Sequence, residues 1–351
     1  PFIHIEAGDT FDELKKNARN GYFEKLIKEY LLDNNHKSII SLVPEYGLEK
    51  EKEQKEADKL AEYKSTLTND ELEELVKKTK ELKEYQDTPS SQEDLEKIPM
   101  LELSDIKREP AKDYNDVKSV DGIKIVHHNI FTNKIAYINM SFDTKCVPDE
   151  LIPYMGLLGS TLSLMDTKNY TYPELTNEIN INCGGLATGT ALYSDKVDFS
   201  KNTIVYEVKS KALYEKVPFV LGMMEEIMYN TRFDDYKRLK EIIARIKSRL
   251  EASLMGQGHS IAMLECCAQF SESAYYSDIL RGYKYYEFIK KLDEEFEQNK
   301  TQIVDKLNKL VGYIFNKDNV IVSLTADDEG YDCFVKALSA KSCNIKDEHY
   351  N

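Results

Sequence analysis

"INCGGLATGTALYSD", residues 181–195, sets two adjacent glycines between a polar helical run and an alternating stretch. So bare a backbone first suggests a phosphate cradle. A Walker loop, however, runs from strand through GxxxxGK and a Ser or Thr into a helix, with its lysine reaching the phosphates. Here "CGG" follows a helix, precedes strands and has no lysine. Gly184 and Gly185 therefore read as a helix terminus with positive φ, followed by a strand whose start lies close to another backbone.

Working outward, two helices are predicted upstream, over roughly 149–166 and 172–182. Before them "IPMLEL", "GIKIVHHNIF" and "IAYINMSF" read as three strands, the latter two separated by the turn Thr132–Asn133–Lys134, so that a β-meander is expected. Downstream, "LATGTALYS" and "NTIVYEVKS" read as strands. The chain is then helical for about a hundred residues from "ALYEKVPFVLGMMEEIMYN", until "NVIVSLTA" supplies a last strand and 329–340 a partial helix. Within that stretch "GQGHS", residues 256–260, reads as a helix break in which Ser260 caps the next helix. Strands, then helices, then a closing strand describe an α+β fold, a sheet with helices on one face.

The N-terminal third differs in kind. Residues 10–32 carry apolar positions at helical spacing, interrupted by Asn20–Gly21, and predict two helices; "HKSIISLVPEY", residues 36–46, reads as a short strand ending near Pro44. Residues 48–97 then have mixed charge at nearly every second position and only a thin apolar stripe. Leu48, Ala57, Leu60, Ala61 and Tyr63 mark one helix, and Leu72, Leu75, Val76, Leu82 and Tyr85 the next. Thr68 with Glu71 forms a capping box for the second helix, and Pro89, Ser90 and Ser91 stop the chain beyond it. Mixed charge of this kind makes a solvated helical hairpin that separates two bodies.

The bulk properties exclude several classes. At 351 residues the chain exceeds one ordinary core. It begins at Pro1 with no apolar signal segment, which reads as a piece of a longer chain. A formal net charge of -15 disfavours nucleic acid and anionic membranes as partners. No apolar stretch approaches the roughly 20 residues of a membrane helix, and mean hydropathy is -0.53, so a water-soluble chain is expected.

Dedicated chemistry is hard to find. Cys146, Cys183, Cys266, Cys267, Cys333 and Cys343 include no CxxC pair and are expected to be buried thiols in a reducing compartment, pointing to the cytoplasm. None of His4, His36, His127, His128, His259 and His349 has a second histidine at the helical spacing that would let a pair grip one metal ion. His127 and His128 adjoin in a strand and must point to opposite faces. "GLLGS" and "GQGHS" lack the GxSxG pattern of a serine hydrolase.

The order and spacing of four stretches nevertheless carry a resemblance: "YLLDNNHKSIISLVPEYGLEKEKEQKEADKLAEYKSTL" (30–67), "IPMLELSDI" (98–106), "YINMSFDTKCVPDELIPYMGLLGSTLSLMDTKNYTYPELTNEININCGGLATG" (137–189) and "RLKEIIARIKSRLEASLMGQGHSIAMLECCAQFSESAYYSD" (238–278). Together they resemble the presequence-protease and falcilysin branch of the insulinase-pitrilysin zinc peptidases. The resemblance implies an insulinase-like (LuxS/metallohydrolase-like) α+β domain with a mainly antiparallel sheet. Members of this family join four such domains in two halves by a helical hairpin and close around a peptide. On that plan residues 1–46 resemble the end of the second domain, 47–97 the hinge hairpin, and 98–351 the third, non-catalytic domain.

The family's zinc site, HxxEH on the first long helix of the first domain, is absent from this chain. The corresponding helix here, "LIPYMGLLGSTLSLMDTKNY" (151–170), offers no ligands. The resemblance thus implies zinc bound outside these residues, and catalytic and metal residues none within them. Its implied partners are peptide substrates and the rest of its own chain, the catalytic N-terminal half and the fourth domain. The family's substrate-holding Arg and Tyr pair does not transfer to Arg281 and Tyr286, because "LRGYKYYEF" lacks the glycine-rich surroundings. By homology between the domains, Gly184, Gly185 and Tyr193 are candidates to face the chamber. The function implied is a non-catalytic portion of a zinc endopeptidase for short unstructured peptides. The alternative is part of a catalytically inactive superfamily member that serves as a structural or partner subunit.

Overall fold

A computed structural model describes residues 7–109, 115–198, 201–340 and 345–346. His4, Cys343 and His349, named above, lie outside the described residues. The chain divides into two units, residues 1–107 and 108–351.

In the first unit, α1 (Ala7–Ala18) and α2 (Tyr22–Leu26) are separated at Gly21, whose φ of 71° is strain-free only without a Cβ. A wider π turn, Ile27–Leu32, extends α2. Next come α3 (Leu48–Thr66) and α4 (Asn69–Asp87), each of 19 residues. The capping box between them is formed: the Glu71 amide donates to Thr68 Oγ1 at 3.3 Å, and the Thr68 amide donates to Glu71 Oε2 at 2.8 Å. Ser91 caps a short α5 (Gln92–Glu96).

Two expected strands are not formed. Residues 34–45 belong to no helix or strand, and Ile39 and Leu42 are 95% and 96% exposed. Residues 98–102 are likewise irregular, with Met100 and Leu101 exposed. The apolar, β-branched pattern is there, but a strand exists only as a partner of another strand, and none is supplied to these segments. No described residue before Ile123 is buried, so the first unit has no interior of its own.

The second unit is built on a six-stranded sheet: β1 (Asp116–Val120), β2 (Ile123–Asn129), β3 (Ile135–Asp143), β4 (Leu186–Ser194), β5 (Asn202–Leu213) and β6 (Val320–Ala326). The order is β1-β2-β6-β3-β5-β4. Every pairing is antiparallel except β2 with β6. The expected meander is therefore corrected. Asn133 and Lys134 do adopt positive φ, 51° and 64°, but the turn carries the chain across the end of β6, which inserts between β2 and β3 and pairs with both. β1, which the sequence reading missed, reaches β2 through a tight turn at Asp121–Gly122.

Alternation assigns the two sheet faces. Ile123, Ile125, Ala136, Ile138, Met140, Phe142, Tyr206, Val208, Val322 and Leu324 are buried together on one face. Against it pack α6 (Ile152–Thr161), α7 (Tyr172–Asn182), α8 (Val217–Tyr229), α13 (Phe296–Ile314) and α14 (Asp328–Ser339). A helical array of α9 (Tyr236–Gly256), α10 (Gly258–Cys267), α11 (Glu272–Arg281) and α12 (Tyr283–Glu294) continues beyond α6. The result is a mainly antiparallel sheet with helices on one face.

Three smaller expectations change. The first helix after the strands is shorter than 149–166, with a tight 3-10 turn at Asp149–Leu151 leading into it. Ser260 caps nothing: α10 restarts at Gly258, and the Ser260 amide donates to the Gln257 carbonyl at 3.0 Å. The thiols are not buried. Of the five described cysteines, all unpaired, Cys146 and Cys266 are exposed and the others half-buried, because their helices and loops turn those positions outward.

Candidate functional site

The second face of the sheet is not covered by the core. Strand register places Ala187, Gly189, Ala191 and Tyr193 of β4 beside Lys209, Glu207, Val205 and Thr203 of β5, with Asn139 and Ser141 of β3 and Ser323 of β6 further along. This face is polar and half-exposed where the other is apolar and closed.

Its centre is Glu207, only 5% exposed. Asn139 Nδ2 donates to Glu207 Oε1 at 2.8 Å, the Tyr193 hydroxyl donates to the same oxygen at 2.9 Å, and Lys209 Nζ lies 2.6 Å from Oε2. Burial by itself would raise the carboxyl. The hydrogen bonds from Lys209, Asn139 and Tyr193, with the Lys209 charge, together outweigh burial and hold it below the usual carboxylate range. Burial and then the Glu207 hydrogen bond push the Tyr193 hydroxyl up, so it remains a neutral donor. Asn139 Oδ1 is left buried without a partner, an acceptor free for an incoming donor.

Beside this network a groove of about 440 Å³ opens between Tyr137, Asn139, Gly184–Ala187, Lys209 and Lys211, with Ser323 and Thr325 at its far side. The glycines make room for it. Gly185 has φ 109°, and a Cβ on Gly184 would lie 2.7 Å from Lys211 Cε and 2.8 Å from its Cγ. The Gly184 amide donates to the Lys211 carbonyl at 2.8 Å, fixing the close approach. Gly184 and Gly185 thus line the groove. Tyr193 does not: it stands on the same face toward the other end of β4, joined through Glu207.

The sequence reading missed Glu207, Lys209 and Asn139. Their signal was present as the period-2 alternation of "EVKSK", Glu207 to Lys211, which sets three charged side chains on one face. The histidines divide between the faces. His127 is fully buried, with Nε2 2.9 Å from the Ala326 carbonyl, while His128 faces the open side with Nε2 3.0 Å from Ser323 Oγ.

A zinc ion does not fit here. The helix α6 buries Ile152, Tyr154, Met155, Leu157, Leu158 and Thr161, which provide no ligand set. Among the described residues no three His, Cys, Asp or Glu side chains group to hold a metal. Buried carboxylates elsewhere are engaged: Glu226 accepts from the Asn169 amide and side chain and from Asn230, pinning the 167–170 loop. Among the described residues no helix is long and apolar enough to cross a membrane.

With this geometry in view, similarity to known proteins becomes informative. The family described as peptidase M16, subfamily C, associated matches residues 42–292, well over half the chain. The chain is 36% identical to "Protein HypA" of Clostridium perfringens, covering all of this chain and 36% of that protein. It is 29% identical to "Presequence protease 1, chloroplastic/mitochondrial" of Arabidopsis thaliana, covering 93% of this chain and 31% of that one. The chain thus spans about a third of the length of these curated relatives. A crystal structure of a peptidase M16 inactive domain from Pseudomonas fluorescens aligns with 68% of this chain and 52% of its own, at 13% identity and a TM-score of 0.44. On the match over residues 42–292, the chain belongs to the family of domains associated with subfamily C of the M16 peptidases.

Proposed function

We propose that this chain is the non-catalytic portion of a zinc-dependent endopeptidase that degrades short unstructured peptides. In this reading residues 1–46 end a preceding peptidase-like domain, 47–97 form the hinge, and 98–351 form a third domain whose open sheet face is chamber wall. The observation that carries it is the family match over residues 42–292 on a domain that has an open, hydrogen-bonded sheet face but, among the described residues, no ligand set for zinc. The name borne by the Arabidopsis relative points to targeting-sequence-like peptides as substrates.

Two further features support the reading. The apolar segments at 39–43 and 98–103 are exposed and extended, as expected of edges completed by the remainder of a longer protein. Exposed, unpaired Cys146 and Cys266 suit a reducing compartment such as the cytoplasm.

A peptide carrying a photo-activated cross-linker, bound to the full-length protein, tests the wall assignment. Cross-links to Tyr137, Gly184, Gly185, Lys209 or Lys211 are expected. Cross-links confined to other domains would contradict it.

A further inference from the structure

A second cavity, of about 560 Å³, lies on the helical side of the second unit, between α6, β4, α9 and the end of α11. Three of the chain's seven arginines line it: Arg245, Arg249 and Arg281. The concentration runs against the molecule's charge, formally -15. No Asp or Glu lines the cavity. Among the described residues the arginines that form ion pairs are Arg232 and Arg238; the three at the cavity form none, and Arg281 has only a 3.5 Å contact to Ser277 Oγ.

The interior supplies an independent sign of a ligand. Tyr285 is 4% exposed, lines the cavity, and keeps its hydroxyl buried with no hydrogen-bond partner. An orphaned buried hydroxyl is costly in a folded protein and calls for an acceptor. Burial pushes this hydroxyl far above the ordinary phenol range, so it stays a donor, and the nearby Arg249 only partly offsets that.

The position of Tyr285 depends on a glycine. A Cβ on Gly156 would meet its ring carbons at 2.8 and 2.9 Å. Gly159 similarly lets α6 approach β4, its Cβ position lying 3.2 Å from Gly189 Cα. The "GLLGS" stretch, which made no sense as a hydrolase motif, is what admits the tyrosine and the strand.

Arg245 and Arg249 stand four residues apart on α9 and so share one side of the helix. Guanidinium groups with no protein carboxylate beside a lone hydroxyl donor match an oxyanion, for which Arg forks are geometrically suited. We infer that the cavity between α6, β4, α9 and α11 is a binding site for an oxyanion group, held by Arg245, Arg249, Arg281 and the Tyr285 hydroxyl. A peptide carboxylate and free inorganic phosphate share this chemistry. The inference stands apart from the open sheet face and does not rest on the function proposed for it.

Isothermal titration calorimetry of the 351-residue chain tests it, with three probes: inorganic phosphate, acetyl-dialanine with a free carboxylate, and acetyl-dialanine amide. Binding of one equivalent of phosphate alone assigns a free-phosphate site; binding of the carboxylate but not the amide assigns a peptide-carboxylate site. In either case the Arg245→Gln/Arg249→Gln double variant and Tyr285→Phe should each weaken binding about tenfold or more, the order expected for a hydrogen bond to a charged group. Added sodium chloride should weaken it further. These variants remove exposed side chains or an unpartnered hydroxyl, so the thermal melt should not fall. Absence of binding by both oxyanions, equal binding of the amide, or full affinity in both variants would overturn the inference.

Discussion

At the scale of single residues, the open face is organised by one carboxylate. Glu207 is held below its ordinary titration range by donors that also order β3, β4 and β5, so its contribution depends on ionisation. The sign follows from linkage: stability from Glu207 is fully present above the unfolded value, about 4.3, and is lost as pH falls through the lower folded value. Glu207→Gln should therefore destabilise the chain at pH 7 and flatten that acid limb of a urea-denaturation series. Tyr193→Phe removes one bond to the carboxylate at a half-exposed position and should cost about 1 kcal/mol. Equal acid limbs in wild type and Glu207→Gln would show that the network does not stabilise the sheet. Gly185→Ala tests the backbone reading. Its surroundings are open, so the loss of about 1–2 kcal/mol expected at φ 109° comes from conformation and not from a clash.

At the scale of elements, α10, α11 and α12 meet at a carboxylate pair. Asp278 is fully buried and ion-paired to Lys284 Nζ at 3.2 Å. Its hydrogen bond with Glu265, then burial and the Asp278 charge, raise Glu265 above the usual range, so one proton is shared between them. A raised carboxyl contributes stability below its unfolded value and loses it as pH rises through the folded value. Glu265→Gln, which supplies a permanent donor, should remove that dependence, and a Tm series from pH 4 to 8 reads it directly. An unchanged pH dependence would mean that no proton is shared. The two long charged helices present a separate test. If α3 and α4 act as a hinge, glycines at Leu72 and Leu75 should cost about 1 kcal/mol each in helix propensity. In the full-length protein they should change turnover without changing zinc affinity. Unchanged kinetics with the helix shown by circular dichroism to be broken would remove the hinge role.

At the scale of the whole molecule, local signals were legible and pairing was not. The period of "LATGTALYS" gave β4 to the residue, and the Thr68–Glu71 box gave the start of α4, because both are written in neighbouring side chains. The insertion of β6 between β2 and β3 was not readable, since it brings together residues some two hundred positions apart. The runs at 36–46 and 98–103 failed for the same reason: their pattern is that of strands, and their partners are not in the described residues. At the site, Gly184 and Gly185 were found as backbone features, whereas the Glu207 network needed the register of three strands. The charge of -15 hid the arginine-lined cavity, because net charge says nothing of where individual charges lie.

The central claim is that these 351 residues shape a peptidase without performing its chemistry. It is tested most directly by measuring zinc content and cleavage of a quenched fluorescent peptide, on this chain and on the full-length protein side by side. Zinc and activity in the full-length protein alone are the expected result. Zinc-dependent cleavage by this chain, or absence of both from the full-length protein, would contradict the account.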